Sequence, residues 1–336
     1  MTDIENTLDL QGQKILITGG LGFIGSNLAR LCVESGAQVT LYDCLDPHSG
    51  GNMHNIEDFK EKVGLCVNDI LNFDRLCEVI LGHHLIINCA ASTSHSFSMR
   101  EPWLDQDVNN RGMINILEAM RHFNSDARFI HLGTSTQLGR LEYQPADEKH
   151  PEFPTDIYSA NKSVSEKYAL IYANAYQLKT TVLRLSNVYG PRASIHSPEF
   201  TFNNFFIGLA LQDKPITVYG EGNQLRNVIF VEDVARTILQ VGQSDQTIGQ
   251  VYFVVSDEHV SVIDIARRTV EIIGKGSVEQ IAWPEMRQKT EIGDAVLSNA
   301  KLKSVLTGWK CGDDLISGLE KTREFFNGKL DRYLRK

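Results

Sequence analysis

No hydrophobic run in the 336 residues approaches the roughly 20 needed to cross a bilayer, and the polar start MTDIENTLDL is no signal peptide. The cytoplasm is therefore the expected location. Positive charge is not in excess either: 33 lysines and arginines against 42 aspartates and glutamates give −9, which leaves no basic footprint for nucleic acid. An anionic ligand must be held by local donors. The six cysteines, at 32, 44, 66, 77, 89 and 311, form no C-x-x-C pair and lie mostly in apolar stretches, as reduced core residues do. No metal site is expected. The ten histidines lack ligand spacing, and His83 and His84, beside a candidate strand, read as helix-end residues. What is present is ordinary for a large globular chain, 42% hydrophobic and 22% charged, with length for a substantial core and two domains.

The most informative stretch is KILITGGLGFIG, residues 14–25. Ile15, Leu16, Ile17 and Thr18 form a run of β-formers suited to a buried parallel strand. Gly19, Gly22 and Gly25 follow, and Phe23, Ile24, Leu28, Leu31 and Cys32 then recur at helical spacing. Glycines at a strand–helix junction allow positive φ, close approach of a pyrophosphate to the backbone, and tight packing of helix on strand. The helix start adds free N–H groups and the positive end of the macrodipole. A second strand, Gln38 to Tyr42, ends at Asp43, about twenty residues on, where a carboxylate accepts from both ribose hydroxyls and repels a 2′-phosphate. Dinucleotide binding follows, with NAD favoured over NADP.

Further along, Pro47 to Asn52 reads as a loop and Val63 to Val67 as a third strand delivering Asp69 to the carboxyl edge. Asp69 has two readings, a cofactor contact or the N-cap of a helix starting near Phe73. Leu85 to Asn88 is a fourth strand running into Cys89, Ala90, Ala91 and Ser92, small enough for a cofactor to lie against, although packing alone also selects alanine. A helix is expected from about Glu101 to His122, then a fifth strand, Arg128 to Leu132. This alternation specifies an α/β fold, a doubly wound parallel sheet with helices on both faces.

The chemistry lies in Gly133-Thr134-Ser135-Thr136 and Tyr158-Ser159-Ala160-Asn161-Lys162. Tyr158 and Lys162, four apart in a helical stretch, share one face. A free tyrosine, with a pKa near 10, is too weakly acidic to serve as a base, but an adjacent ammonium and a cationic nicotinamide favour its phenolate. Thr134 is placed to hydrogen-bond the same substrate hydroxyl. The competing reading is that this helix is merely rich in tyrosine and lysine, since Lys167, Tyr168 and Tyr172 follow.

These segments, in this order and over nearly the whole chain, resemble the extended short-chain dehydrogenase/reductase family, specifically the NAD-dependent nucleotide-sugar epimerases and dehydratases. TGGLGFIGSNLA resembles the opening motif, placing Phe23 and Ile24 with the glycines at the cofactor; NDI, with Asp69 and Ile70, resembles the adenine contact; YSANK resembles the catalytic Tyr–Lys pair. The resemblance puts Asn109 near the cofactor, makes Asn187 a sugar or phosphate ligand, brings Arg226 to the nucleotide diphosphate, and marks Asp294 within the late substrate signature IGDAVLSNAKLKSVLTGW. It implies a Rossmann domain of residues 12–186 plus 227–255 and a smaller discontinuous α/β substrate domain of 187–226 plus 256–330. It also implies a homodimer paired through helices near 101–122 and 156–177, whose apolar residues alternatively serve only the internal core.

The resemblance also bears on the reaction. Sugar 4,6-dehydratases carry Asp and Glu where this chain has Ser135 and Thr136, and decarboxylating relatives keep a Glu at the Thr136 position. Their absence favours 4-epimerisation through a transient 4-keto sugar, with Ser135 and Thr136 left as substrate contacts. Dehydratase, decarboxylase, 4-ketosugar reductase and a non-catalytic dinucleotide sensor remain as alternatives. Two departures stand out. The frequent V-Y-G is Gln137-Leu138-Gly139, and Glu291 occupies a position where several epimerases place a phosphate-binding arginine. Arg287, Lys289 or Arg192 in YGPR are candidate substitutes, with an ordinary surface role as the competing reading of Arg192.

Overall fold

Ile15, Leu16 and Ile17 are wholly buried, as a strand covered on both faces requires. They lie in β1 (Lys14–Thr18) of the structure, a computed structural model that describes residues 8–285 and 291–334. In chain order there follow β2 (Gln38–Asp43), β3 (Val63–Val67), β4 (Leu85–Asn88), β5 (Arg128–Thr134), β6 (Lys179–Leu185), β7 (Asn187–Tyr189), β8 (Pro215–Tyr219), β9 (Leu225–Phe230), β10 (Gln250–Val254), β11 (His259–Ser261) and β12 (Ser277–Ile281). Seven of them form one sheet in the order β10-β6-β5-β4-β1-β2-β3, every pairing parallel. The order reverses between β1 and β4. That switch point opens a crevice at the carboxyl ends of the strands.

Both faces of this sheet are covered. Helices α1 (Phe23–Glu34) and α8 (Val231–Gln243) bury Leu28, Cys32, Val234 and Ile238 on one side. On the other, α2 (Phe73–Ile80), α5 (Gly112–Phe123) and α6 (Ile157–Tyr176) bury Leu76, Ile116, Leu117 and Ala169. Each fully buried leucine or isoleucine stabilises by roughly 1.5–3 kcal/mol. This is the doubly wound Rossmann architecture.

Strand β9 joins β7 and β11 in a small sheet, and β8 pairs with β12 in another. Alternation along β9 divides two cores: Val228 and Phe230 pack with α7 (Phe202–Leu211) and α9 (Val262–Ile273), whereas Ile229 packs with the main core. The stretch from Val228 therefore adjoins the main sheet without entering it. Only β10 returns to the sheet, beside β6.

Several local expectations are refined or corrected. The helix anticipated over 101–122 runs from Pro102 to Phe123 as α4 (Pro102–Gln106), a π-turn at Asp107–Arg111 and α5, and a separate short helix, α3 (His95–Arg100), precedes it. Pro102 enforces the break between α3 and α4, because the residue before a proline is driven out of helical conformation, and Glu101 has φ −124° and ψ 63°. At the π-turn, Asn109 donates to the Ser92 carbonyl at 3.0 Å and Asn110 to Asn161 at 2.7 Å. The N-cap of α2 is Asn72, which accepts from Arg75 N, and not Asp69. His83 and His84 lie beyond α2, where His84 Nδ1 accepts from Lys14 N and His83 meets Thr40 Oγ1. All six cysteines are free, but Cys32 alone is fully buried and Cys44 is exposed. Among the described residues no helix is long and apolar enough to cross a membrane.

Candidate active site

The carboxyl edge of the sheet opens into a cleft of about 710 Å³, within the range of small-molecule sites. Its nucleotide end is built by backbone. Gly19 has φ +65°, and a Cβ there would lie 2.7 Å from Ala90 N; a Cβ on Gly25 would fall 2.2 Å from the Gly19 carbonyl. The turn thus closes on itself and on the β4 loop, with Gly22 as the N-cap of α1. Gly19, Gly22, Phe23, Ile24, Gly25, Asp43, Asp69, Ile70, Ala90 and Ala91 all line the cleft.

Asp43 ends β2, where its Oδ2 accepts from Leu21 N at 3.0 Å and its Oδ1 from Leu45 N at 2.8 Å. Burial raises its pKa, while these two bonds oppose the shift. A carboxylate offers about four acceptor positions, so capacity remains for a ribose diol. A glycine cradle that any side chain would fill, followed by an anchored acceptor, fits NAD. Asn109 is not in the wall; it sits behind it, holding Ser92 O and Asp105.

Thr134, Ser135, Thr136, Tyr158 and Lys162 share one wall, brought together because β5 ends where α6 begins to pack against it. Thr134 Oγ1 lies 3.0 Å from Thr136 Oγ1, which lies 2.9 Å from Ser159 Oγ. Burial drives the Tyr158 pKa up; a hydrogen bond with Thr134 opposes this, and Asp105 and Asp156 add to it. Lys162 is also buried and pushed down to about 8, with Asp105 working against that shift. Its Nζ lies 3.2 Å from His131 Nε2, on β5. The ammonium expected to favour the phenolate is thus engaged by an imidazole that burial keeps neutral.

On the substrate side Asn187 and Arg226 line the cleft. Asn187 donates to the Asn227 carbonyl at 2.9 Å. The Arg226 guanidinium is bound by Glu291 at 2.7 Å and by the Gly293 and Leu225 carbonyls, so the residue replacing an expected arginine occupies its partner instead. Two substrate-contact expectations are corrected. Arg192 is buried away from the cleft, where Asn55 O, Asn27 and Asp58 take its donors and Phe59 and Phe325 take its faces. Asp294 is exposed and caps Leu225 N through Oδ1. Arg287 and Lys289 lie outside the described residues.

The fold adds residues that spacing did not reveal. Glu199 lines the cleft and binds Ser96 at 3.1 Å and Arg100 at 3.0 Å. His95 lines it too, 2.8 Å from Asp156 and edge-on to the Tyr158 ring. The one local signal was Asp156-Ile-Tyr-Ser159, a helix-start pattern, and it identifies the cap rather than the imidazole that joins it.

A sequence profile described as the "NAD dependent epimerase/dehydratase family" matches residues 15–254. A putative UDP-glucose 4-epimerase of Methanocaldococcus jannaschii is 29% identical over 312 residues, covering 91% of this chain and 96% of that protein. A UDP-glucuronic acid decarboxylase of Xenopus tropicalis is 27% identical over 95% of this chain and 73% of its own length. The crystal structure of the UDP-glucose 4-epimerase of Thermus thermophilus, a complex with NAD, superposes with a TM-score of 0.82 at 26% identity, covering 94% of this chain and all of that one. Because the profile spans most of its length, this chain belongs to the NAD-dependent epimerase/dehydratase family of nucleotide-sugar enzymes.

Proposed function

We propose that the protein is a nucleotide-sugar 4-epimerase, acting on a UDP-sugar through a transient 4-keto intermediate. The observation that carries this reading is the wall around Tyr158, which presents Thr134, Ser135 and Thr136 hydroxyls and no carboxylate. The acids that line the cleft are Asp43, Asp46 and Asp69 at the nucleotide end, and Glu199, already engaged by Ser96 and Arg100. Dehydration needs a positioned carboxylic acid to protonate the departing C6 hydroxyl, and no carboxyl stands beside Thr134, Ser135 and Thr136 in this wall. Epimerisation at C4 needs only the group that serves the hydroxyl.

NAD held in this cradle would supply the acceptor for the C4 hydride and its later donor. Gly19, Gly22 and Gly25 would carry its pyrophosphate against α1, and Asp43 its ribose. Tyr158 takes the O4 proton and later gives it back. Thr134 holds the same oxygen, and the buried charge of Lys162 offsets the phenolate that burial otherwise disfavours. The ketone then turns in the pocket to present its other face. We place the sugar nucleotide between the Rossmann domain, residues 12–186 and 227–255, and the smaller domain of 187–226 and 256–330. In that position Asn187 and Arg226 meet the sugar and diphosphate.

The test is proton NMR of the purified protein with UDP-glucose and related UDP-sugars. A new C4 epimer approaching equilibrium without added reductant is expected, and Tyr158→Phe should slow it by roughly 10²–10⁴. Undiminished turnover in the variant would refute the assignment of Tyr158. A 6-deoxy methyl signal or loss of a uronic carboxyl would replace epimerase by dehydratase or decarboxylase, as the 27% identical decarboxylase relative makes worth checking.

A further inference from the structure

Hydride transfer at C4 gives Tyr158 one proton to handle and leaves His95 with none. Yet His95 is built as a base. Its Nδ1 lies 2.8 Å from Asp156 Oδ2, and Asp156 is itself anchored as the N-cap of α6, with Oδ1 2.8 Å from Ser159 N. Burial pushes that carboxyl up, but the bonds from His95 and Ser159 hold it below the usual carboxylate range, so it stays anionic. An anion accepting from Nδ1–H fixes the tautomer that leaves the lone pair on Nε2. None of the described residues bonds Nε2, on a side chain that is 44% exposed and lines the cleft.

The dyad also adjoins the reacting group. The His95 ring meets the Tyr158 ring edge-on, with centroids 4.9 Å apart. A second connection runs through hydroxyls, from Thr134 to Thr136 to Ser159, whose Oγ lies 3.2 Å from Asp156 Oδ2. His95 and Tyr158 thus stand on adjoining parts of one wall, joined through shared hydrogen bonds.

We infer that the His95–Asp156 dyad is a second proton-transfer site of this cleft, acting on a carbon adjacent to the ketone of a 4-keto sugar. The inference rests on the nucleotide-sugar reading above. Nε2 takes the proton from C3 or C5, and the electrons of that C–H bond form the C=C of an enol whose O4 receives the Tyr158 proton. Asp156 balances the imidazolium. Reversal restores the ketone, with Nε2 returning a proton to the face it came from, so no oxidant or reductant is consumed. The resulting activity is hydrogen exchange beside the ketone. His95 is open enough to exchange its proton with solvent between the two steps.

The test supplies the ketone directly. UDP-4-keto-6-deoxyglucose is incubated in D2O with the NAD-loaded protein, and loss of the H3 and H5 signals is followed by proton NMR against an enzyme-free control. The wild type should exchange one of these positions at least roughly tenfold faster than the control, and His95→Gln, with its fold checked by circular dichroism, should fall back to the control rate. Wild-type exchange no faster than the control, or a variant as fast as wild type, overturns the proposal. No hydride moves in this experiment. Exchange here with no C4 epimer in the UDP-sugar experiment above would therefore defeat the epimerase reading alone, and a C4 epimer there without exchange here would defeat the dyad alone.

Discussion

Arg226 and Glu291 meet at 2.7 Å on the wall of the cleft, both partly shielded from water. A nucleotide diphosphate brought to this guanidinium must displace the carboxylate or lie beside it, and either costs binding free energy. Neutralising Glu291 should release that cost. For Glu291→Gln we expect UDP to bind roughly tenfold more tightly by calorimetry at low salt, equivalent to about 1.4 kcal/mol. Arg226→Gln should move affinity the other way. An unchanged Kd in Glu291→Gln would show that Arg226 does not face the diphosphate. The substitution at 291 was legible in the sequence, but its consequence was not. A missing cation and a cation masked by an anion are different sites, and only the fold places Glu291 against a guanidinium 65 positions away.

At the scale of elements, the catalytic helix α6 is held to the sheet by a buried ion cluster. Arg184 on β6 donates to both carboxylate oxygens of Glu166 on α6, at 2.8 and 2.6 Å, and to Glu152 at 2.7 Å, while its face covers Phe253. Removing one member leaves an uncompensated buried charge. Arg184→Met should cost about 3–5 kcal/mol in urea denaturation, and adding Glu166→Met should recover most of that loss. If the single variant is as stable as wild type, the cluster does not hold the helix.

The same scale shows what a sequence discloses about structure. Strands such as Ile15–Ile17 and Leu85–Asn88 are readable because burial on both faces demands a continuous apolar run. The glycine turn is readable because no side chain fits beside the Gly19 carbonyl. The π-turn at Asp107–Arg111 is not. It exists to aim Asn109 and Asn110 at Ser92 and Asn161, partners that periodicity does not contain. Arg192 misled for a related reason: a charged residue in a loop motif suggests a ligand, whereas here it is buried between Asn27 on α1 and Phe325 on the helix Leu315–Phe326.

For the whole molecule, the open question is what covers the outer side of α4, α5 and α6. Trp103 is 79% exposed and Ile171 53%, with Val164 one heptad before Ile171 on the same face of α6, and Phe123 and Tyr176 at the helix ends. Large apolar groups gathered on neighbouring helices are the mark of an association surface rather than of a solvated face. A second copy suits it, because a two-fold axis lets the same helices pair with themselves and bury the standard area of a specific interface, about 1,600 Å². The wild type should therefore sediment as a dimer, and Trp103→Glu combined with Ile171→Glu should shift it to monomer at micromolar concentration. Both residues lie on the opposite side of their helices from Asp105 and Lys162, which are buried. Dissociation should thus leave the cleft assembled, and a wild type that sediments as a monomer would assign these residues to some other partner.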